Sequence, residues 1–169
     1  ALNFNIFHAH ADRVRMTNIA QMVNVLQAMI ITEKDKMLLT PTYHAYKMYV
    51  PFQDATSLPV TLANNTVYGE NGKAVPGISA SAARAKDGKV YVALVNTNPR
   101  EATDVTLNVA GQNIGAVRGQ VLTADAMDAH NTFQNPQAIK PAPFSATATG
   151  GKLTVKVPAK AVMVFAVEG

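Results

Sequence analysis

The chain has 169 residues, 48% of them apolar and only 15% charged, which is enough to bury one substantial core and falls outside the disordered class. A net charge of +4 rests on fifteen Lys and Arg scattered singly, a mildly basic solvated surface without the clusters that track a phosphate backbone, so nucleic acid is not an expected partner. There is no cysteine, which excludes disulfides and thiolate chemistry and leaves the compartment open between cytoplasmic, periplasmic and secreted.

In chain order, Phe4, Phe7, Ala11 and Val14 recur at steps of three and four and predict a helix over residues 2–14. The opening residues carry no basic n-region or small-residue cleavage site, and they start inside an apolar pattern, as in a segment of something longer. An apolar run over residues 16–26, with amides set into it, predicts a short buried strand followed by irregular chain. The apolar-rich stretch 19–31 is too short and too often interrupted to span a bilayer, so no membrane partner is expected. Glu33-Lys34-Asp35-Lys36 is a charged turn. Thr40-Pro41 supplies an N-cap hydroxyl and a proline at the first helical position, and Pro51 stops the pattern, so a second helix is expected from Thr40 to about Tyr49.

Beyond Asp54 the period changes to two. Val90 to Leu94, Val105 to Val109 and Leu153 to Val157 read as half-buried strands, punctuated by Asn71-Gly72, Asp87-Gly88, Asn98-Pro99 and Gly150-Gly151. Residues 125–144 form a loop too long to be only a turn, and residues 161–167, apolar on both faces, predict a central or doubly covered strand. The fold class is mainly β, an antiparallel sandwich or jelly roll preceded by a helical segment, with residues 1–53 and 54–169 as the two units.

Chemistry is sparse. A retaining glycosidase needs two carboxyls about 5 Å apart, one with a raised pKa. Glu33, Asp35, Asp87, Glu101, Asp125, Asp128 and Glu168 all sit among turn, charged, loop or terminal residues, so no catalytic pair is assigned. His8, His10 and Asp12 could bind zinc by residue type, but positions two apart on a helix face different ways, and no metal or cofactor is expected. His44 and His130 have no nucleophile neighbour in sequence. The β-half has few aromatics for stacking on sugar rings (Phe52, Tyr68, Tyr91, Phe133, Phe144, Phe165), of which Tyr91 and Phe165 are expected inside. The unusual feature is Asn18, Gln21, Asn24 and Gln27. Four amides in an apolar stretch need hydrogen-bond partners when buried, as structural glue or as ligand contacts, and the chemistry alone favours neither.

The run from Phe4 through Phe7-His8-Ala9-His10-Ala11-Asp12-Arg13-Val14-Arg15-Met16-Thr17-Asn18-Ile19-Ala20-Gln21-Met22-Val23-Asn24-Val25-Leu26-Gln27 to Ile30 resembles the final barrel segment of glycoside hydrolase family 51 α-L-arabinofuranosidases. The resemblance continues through Leu39-Thr40-Pro41-Thr42-Tyr43-His44, Val121-Leu122-Thr123 and Asn131-Thr132-Phe133-Gln134-Asn135-Pro136 to Pro158-Ala159-Lys160-Ala161-Val162. It implies a jelly-roll domain packed on a (β/α)₈ barrel. Residues 2–14 would then be the last-but-one barrel helix, residues 16–21 the eighth strand, and residues 40–49 the closing helix. By the same resemblance, Gln21 matches the glutamine of an Ile-Ala-Gln motif that hydrogen-bonds arabinofuranose in the −1 subsite. The acid/base and nucleophile glutamates would lie on earlier barrel strands, before Ala1, so the chain by itself is expected to be a non-catalytic scaffold. Its implied partners are that barrel and, through it, arabinose-containing oligosaccharides or polysaccharides. An independent carbohydrate-binding module and a homo-oligomerisation domain are the alternatives.

Overall fold

The structure, a computed structural model, describes residues 1–69, 73–150 and 152–169. The expected turn at Asn71-Gly72 and the second glycine of Gly150-Gly151 lie outside them.

The first helix, α1, covers Leu2–Ala9, and loose turns over residues 10–13 replace the rest of the predicted span. Its one buried side chain is Asn5, so the seam against the sheet is polar, while the predicted apolar face of Phe4, Phe7, Ala11 and Val14 is only half-buried. A helix this short is marginal without packing, and it persists only where Asn5 and His8 engage the sheet.

The strand expected over residues 16–21 is not formed. Strands are held by ladder partners, and no described segment pairs with these residues, which take no regular secondary structure and are mostly exposed. Ordered structure resumes at a hairpin of β1 (Ile30–Glu33) and β2 (Lys36–Leu39), whose turn contains the predicted charged residues, with Lys34 at φ +54°. Helix α2 (Pro41–Met48) follows as expected. Thr40 Oγ1 accepts from the Tyr43 amide at 3.4 Å, and a 3₁₀ turn, Val50–Phe52, contains the stopping proline.

The strands that follow are β3 (Thr56–Leu58), β4 (Val67–Tyr68), β5 (Val75–Pro76), β6 (Ile78–Arg84), β7 (Val90–Asn96), β8 (Thr103–Leu107), β9 (Ala116–Leu122), β10 (Ala142–Thr147), β11 (Leu153–Val157) and β12 (Val162–Glu168). A six-stranded antiparallel sheet runs β10-β9-β12-β7-β6-β3, while β8 pairs with β11 and β4 with β5. The sequential neighbours are broken by crossovers that put β12 between β9 and β7, with Phe165 opposite Gly119 on one side and Val92 on the other. A Cβ at Gly119 would run into the Val164 carbonyl and Phe165 Cα, so glycine is required for this close approach.

Strand alternation then sorts the core. Val90, Val92 and Leu94 of β7 and Met163, Phe165 and Val167 of β12 face β11, where Leu153, Val155 and Val157 close the sandwich. Ala93 and Val164, one residue out of phase, face Met48, Tyr49 and Phe52. The six-stranded sheet is thus covered on both faces, by strands on one and by helices on the other, which explains the doubly apolar final strand.

Candidate functional site

Where the helices meet the sheet lies a buried polar cluster that was not among the residues expected to be functional. Ser79 and Ser81, two apart on β6, point to the helix side of the sheet. Asn5 donates from Nδ2 to Ser79 Oγ at 3.1 Å, and its Oδ1 accepts from Tyr49 Oη at 2.9 Å and from Ser81 Oγ at 2.8 Å. Since the one Ser81 proton goes to Asn5, the 2.9 Å contact between Ser81 Oγ and His8 Nδ1 requires the imidazole to donate, which assigns His8 the Nδ1–H tautomer when neutral. The His8 ring stacks on Phe52 at 4.7 Å, and Ser57 Oγ donates to the His8 carbonyl oxygen at 3.0 Å. Burial lowers the His8 pKa from its ordinary value and raises that of the Tyr49 phenol well above its own, so both groups stay neutral around pH 7. Every hydrogen-bonding atom of Asn5 that faces the sheet is used, and the cluster acts as a polar weld between α1 and β6. The signal in the sequence was the Ser-x-Ser alternation within an otherwise apolar strand.

Beside the weld opens a cleft of about 660 Å³, lined by Phe4 and Phe7 of α1, by Ala11, Val14 and Met16 in the chain that follows it, and by Tyr46. Around its rim, Asp54 pairs with Lys86 at 2.9 Å; that hydrogen bond, and then the ammonium charge, hold its carboxyl below the usual range.

The four amides are exposed, and the short buried strand expected in their stretch is absent among the described residues. Gln21, Asn24 and Gln27 have φ of +42°, +55° and +61°, so the segment advances by left-handed kinks that a regular strand would not tolerate. Among the described residues, Asn24 alone of the four bonds to a side chain, with Nδ2 donating to Thr32 Oγ1 at 2.9 Å and Oδ1 accepting from the Thr32 amide at 2.8 Å. Gln21 sits three residues before this clamp, exposed, with its side chain unengaged among the described residues.

The other candidates are dispersed. His10 and Asp12 are exposed while His8 is committed to Ser81, and the three do not converge. His44 packs edge-on to Tyr43, and His130 turns back on the Asp128 carbonyl oxygen. Of the described carboxylates all but Glu168 are exposed, and Glu168 accepts from Arg118 at 3.0 Å, so none lies in the kind of apolar pocket that keeps a carboxyl protonated. Phe165 is buried as expected and meets Phe144 at 6.1 Å; Tyr91 is half-buried, its hydroxyl donating to Asp87 at 3.2 Å. Asn131, inside the long loop, is buried. Its Nδ2 donates to the carbonyls of Leu39 at 2.7 Å and Ile139 at 2.9 Å, clipping the loop to the end of β2.

Comparison with known proteins fits this geometry. The family described as α-L-arabinofuranosidase C-terminal domain matches residues 1–161. An intracellular exo-α-L-arabinofuranosidase of Bacteroides ovatus is 40% identical over 164 residues, which cover 96% of this chain and 32% of that protein. The crystal structure of a GH51 arabinofuranosidase from Xanthomonas axonopodis pv. citri superposes with a TM-score of 0.91 at 47% identity, over 98% of this chain and 34% of the other. An arabinose complex of the α-L-arabinofuranosidase from Thermotoga maritima gives a TM-score of 0.78 at 25% identity, over 99% and 38% of the two chains. The chain spans about a third of the length of each. With the antiparallel sandwich, the two preceding helices and nearly every residue inside the match, the chain belongs to the α-L-arabinofuranosidase C-terminal domain family.

Proposed function

We propose that this chain is the scaffold third of an α-L-arabinofuranosidase that removes terminal α-L-arabinofuranosyl residues with retention of configuration, and that its N-terminal 53 residues complete the catalytic barrel of the parent enzyme. In that reading the acid/base and nucleophile glutamates belong to the rest of the parent. One protonates the leaving oxygen and the other attacks the anomeric carbon. Gln21 contributes from this chain, its amide hydrogen-bonding a hydroxyl of the arabinofuranose in the −1 subsite.

The observation that carries this reading is where apolar surface is left uncovered. Of the twelve large hydrophobic side chains exposed among the described residues, seven (Ile6, Met16, Met22, Val23, Leu26, Met37 and Val50) fall within residues 1–53, under a third of the chain. Leu26, at 92% exposure, has almost no contact, and the apolar face of α1 borders an open cleft. Surface of this kind marks a docking face, and the rest of a barrel is the occupant that would give residues 16–21 their missing ladder partners.

The test uses the full-length parent. Gln21→Ala is expected to lower kcat/KM on an aryl α-L-arabinofuranoside by about tenfold to a hundredfold, the range for leaving a buried polar partner unsatisfied. The isolated 169-residue chain should show no turnover. A Gln21→Ala enzyme with unchanged kinetics removes the residue from the subsite, and turnover by the isolated chain, abolished by substituting one of its own carboxylates, overturns the scaffold assignment.

A further inference from the structure

Resting on the reading of Gln21 as a sugar contact, we infer that Asn24 is a positioning residue that sets the direction of the Gln21 side chain by clamping residues 22–24 to β1. Gln21 lies on an exposed, kinked segment with a left-handed backbone, so nothing in its own conformation fixes where its amide points. Immediately after it the chain is fastened. The Met22 carbonyl accepts from the amides of Met29 at 3.0 Å and Ile30 at 3.1 Å, and the Asn24 amide donates to the Ile30 carbonyl at 3.2 Å. Across this closure the Asn24 carboxamide spans to Thr32 with both ends in use, Oδ1 taking the Thr32 amide and Nδ2 reaching Thr32 Oγ1.

The base of the loop is held by a second polar residue. Thr40 Oγ1 donates to the carbonyl oxygen of Ala28 at 2.8 Å, with that of Met29 at 3.2 Å, and the Thr40 amide donates to the Met29 carbonyl at 3.0 Å. Residues 22–30 are therefore tied at one end to β1 and at the other to Thr40, the N-cap of the helix α2 that packs on the sandwich, and Gln21 adjoins the end tied to β1. The residue type suits the place: at φ +55° asparagine and aspartate tolerate the left-handed conformation better than other non-glycine residues, and a carboxamide presents donor and acceptor in one plane. The clamp transmits the rigidity of the β-hairpin to a side chain three residues away. In this way a barrel contact is held in place from the scaffold side.

The experiment is a double-mutant cycle in the full-length enzyme, reading kcat/KM on an aryl α-L-arabinofuranoside together with the melting temperature. Asn24→Gly keeps the left-handed backbone while removing both clamp bonds, and is expected to lower kcat/KM about tenfold, the scale of a sub-ångström to ångström misplacement. Asn24→Asp retains an acceptor for the Thr32 amide and can accept from the Thr32 hydroxyl, so it should restore most of the activity. In a Gln21→Ala background, Asn24→Gly should add less than about twofold, because the group it positions is gone. Multiplicative losses in the double variant would place Asn24 outside the Gln21 contact and overturn the inference while leaving Gln21 as a sugar ligand. If Gln21→Ala alone leaves kinetics unchanged, the subsite reading fails and this inference with it. A loss at Asn24→Gly that only parallels a fall in melting temperature, with equal effect in both backgrounds, shows a structural role and also counts against positioning.

Discussion

Two apolar-rich regions of this chain end up in opposite states. Residues 162–167 of β12 read Val-Met-Val-Phe-Ala-Val, and residues 16–26 carry Met16, Ile19, Met22, Val23, Val25 and Leu26 with amides set among them. In the first, Met163 is fully buried and Phe165 nearly so, whereas in the second Leu26 is almost fully exposed. The difference is in their neighbours. Strand β12 finds β9 on one side, β7 on the other, β11 across one face and the α2 region across the other, all within the chain. Residues 16–21 find no strand to pair with among the described residues, and their backbone turns left-handed at Gln21. Hydrophobicity selects burial only where a partner surface exists to bury against.

The contrast is sharpest in stability. Phe165→Ala opens a void at the centre of the sandwich and should cost about 3–5 kcal/mol in urea unfolding of the isolated chain, while Leu26→Ala should stay within about 0.5 kcal/mol. Equal losses at the two positions would mean that residues 16–26 are packed in solution. A smaller effect is expected at the weld between the regions. Asn5→Ala leaves Tyr49, Ser79 and Ser81 without their shared partner and should cost about 2 kcal/mol, read by the same unfolding curve. A negligible change there would mean that α1 is not docked on β6.

The smallest expected effect is in pH. His8 in the folded chain titrates below its ordinary value of 6.5, because partial burial disfavours the imidazolium. The unfolded chain then binds the proton first, so the stability from a neutral His8 is fully present above about pH 6.5 and is lost as pH falls from there through the lower folded value. His8→Gln should flatten that part of the stability profile, and an unchanged slope between the two proteins would put the histidine's titration elsewhere.

Much of the fold was legible in the residues. The period of two over residues 90–94 and 153–157, the Thr40-Pro41 helix start and the two-faced apolar pattern of the last strand each state a local preference, and tertiary contacts agreed with all three. The candidate site was less legible. Helix periodicity in residues 2–14 pointed to the Phe4 and Phe7 face as the buried one, whereas the structure buries Asn5. A helix shows its apolar stripe in sequence, but which surface it meets depends on strands 74 to 76 residues away, and here that surface offers serine hydroxyls.

What the sequence determined by itself is therefore the strand character of residues 90–94, 153–157 and 162–167, the Thr40 helix cap and the resemblance that identified the family, because these depend on neighbours a few residues apart or on a motif read whole. Only the tertiary structure decided that Asn5, His8, Tyr49 and Ser81 form one hydrogen-bonded cluster, that Asn131 clips a loop to β2, and that Gln21 stands exposed beside an Asn24 clamp. The physical reason is that hydrogen-bond partners are chosen by proximity in space. A neutral amide carries no periodic signature to announce the partner it will find.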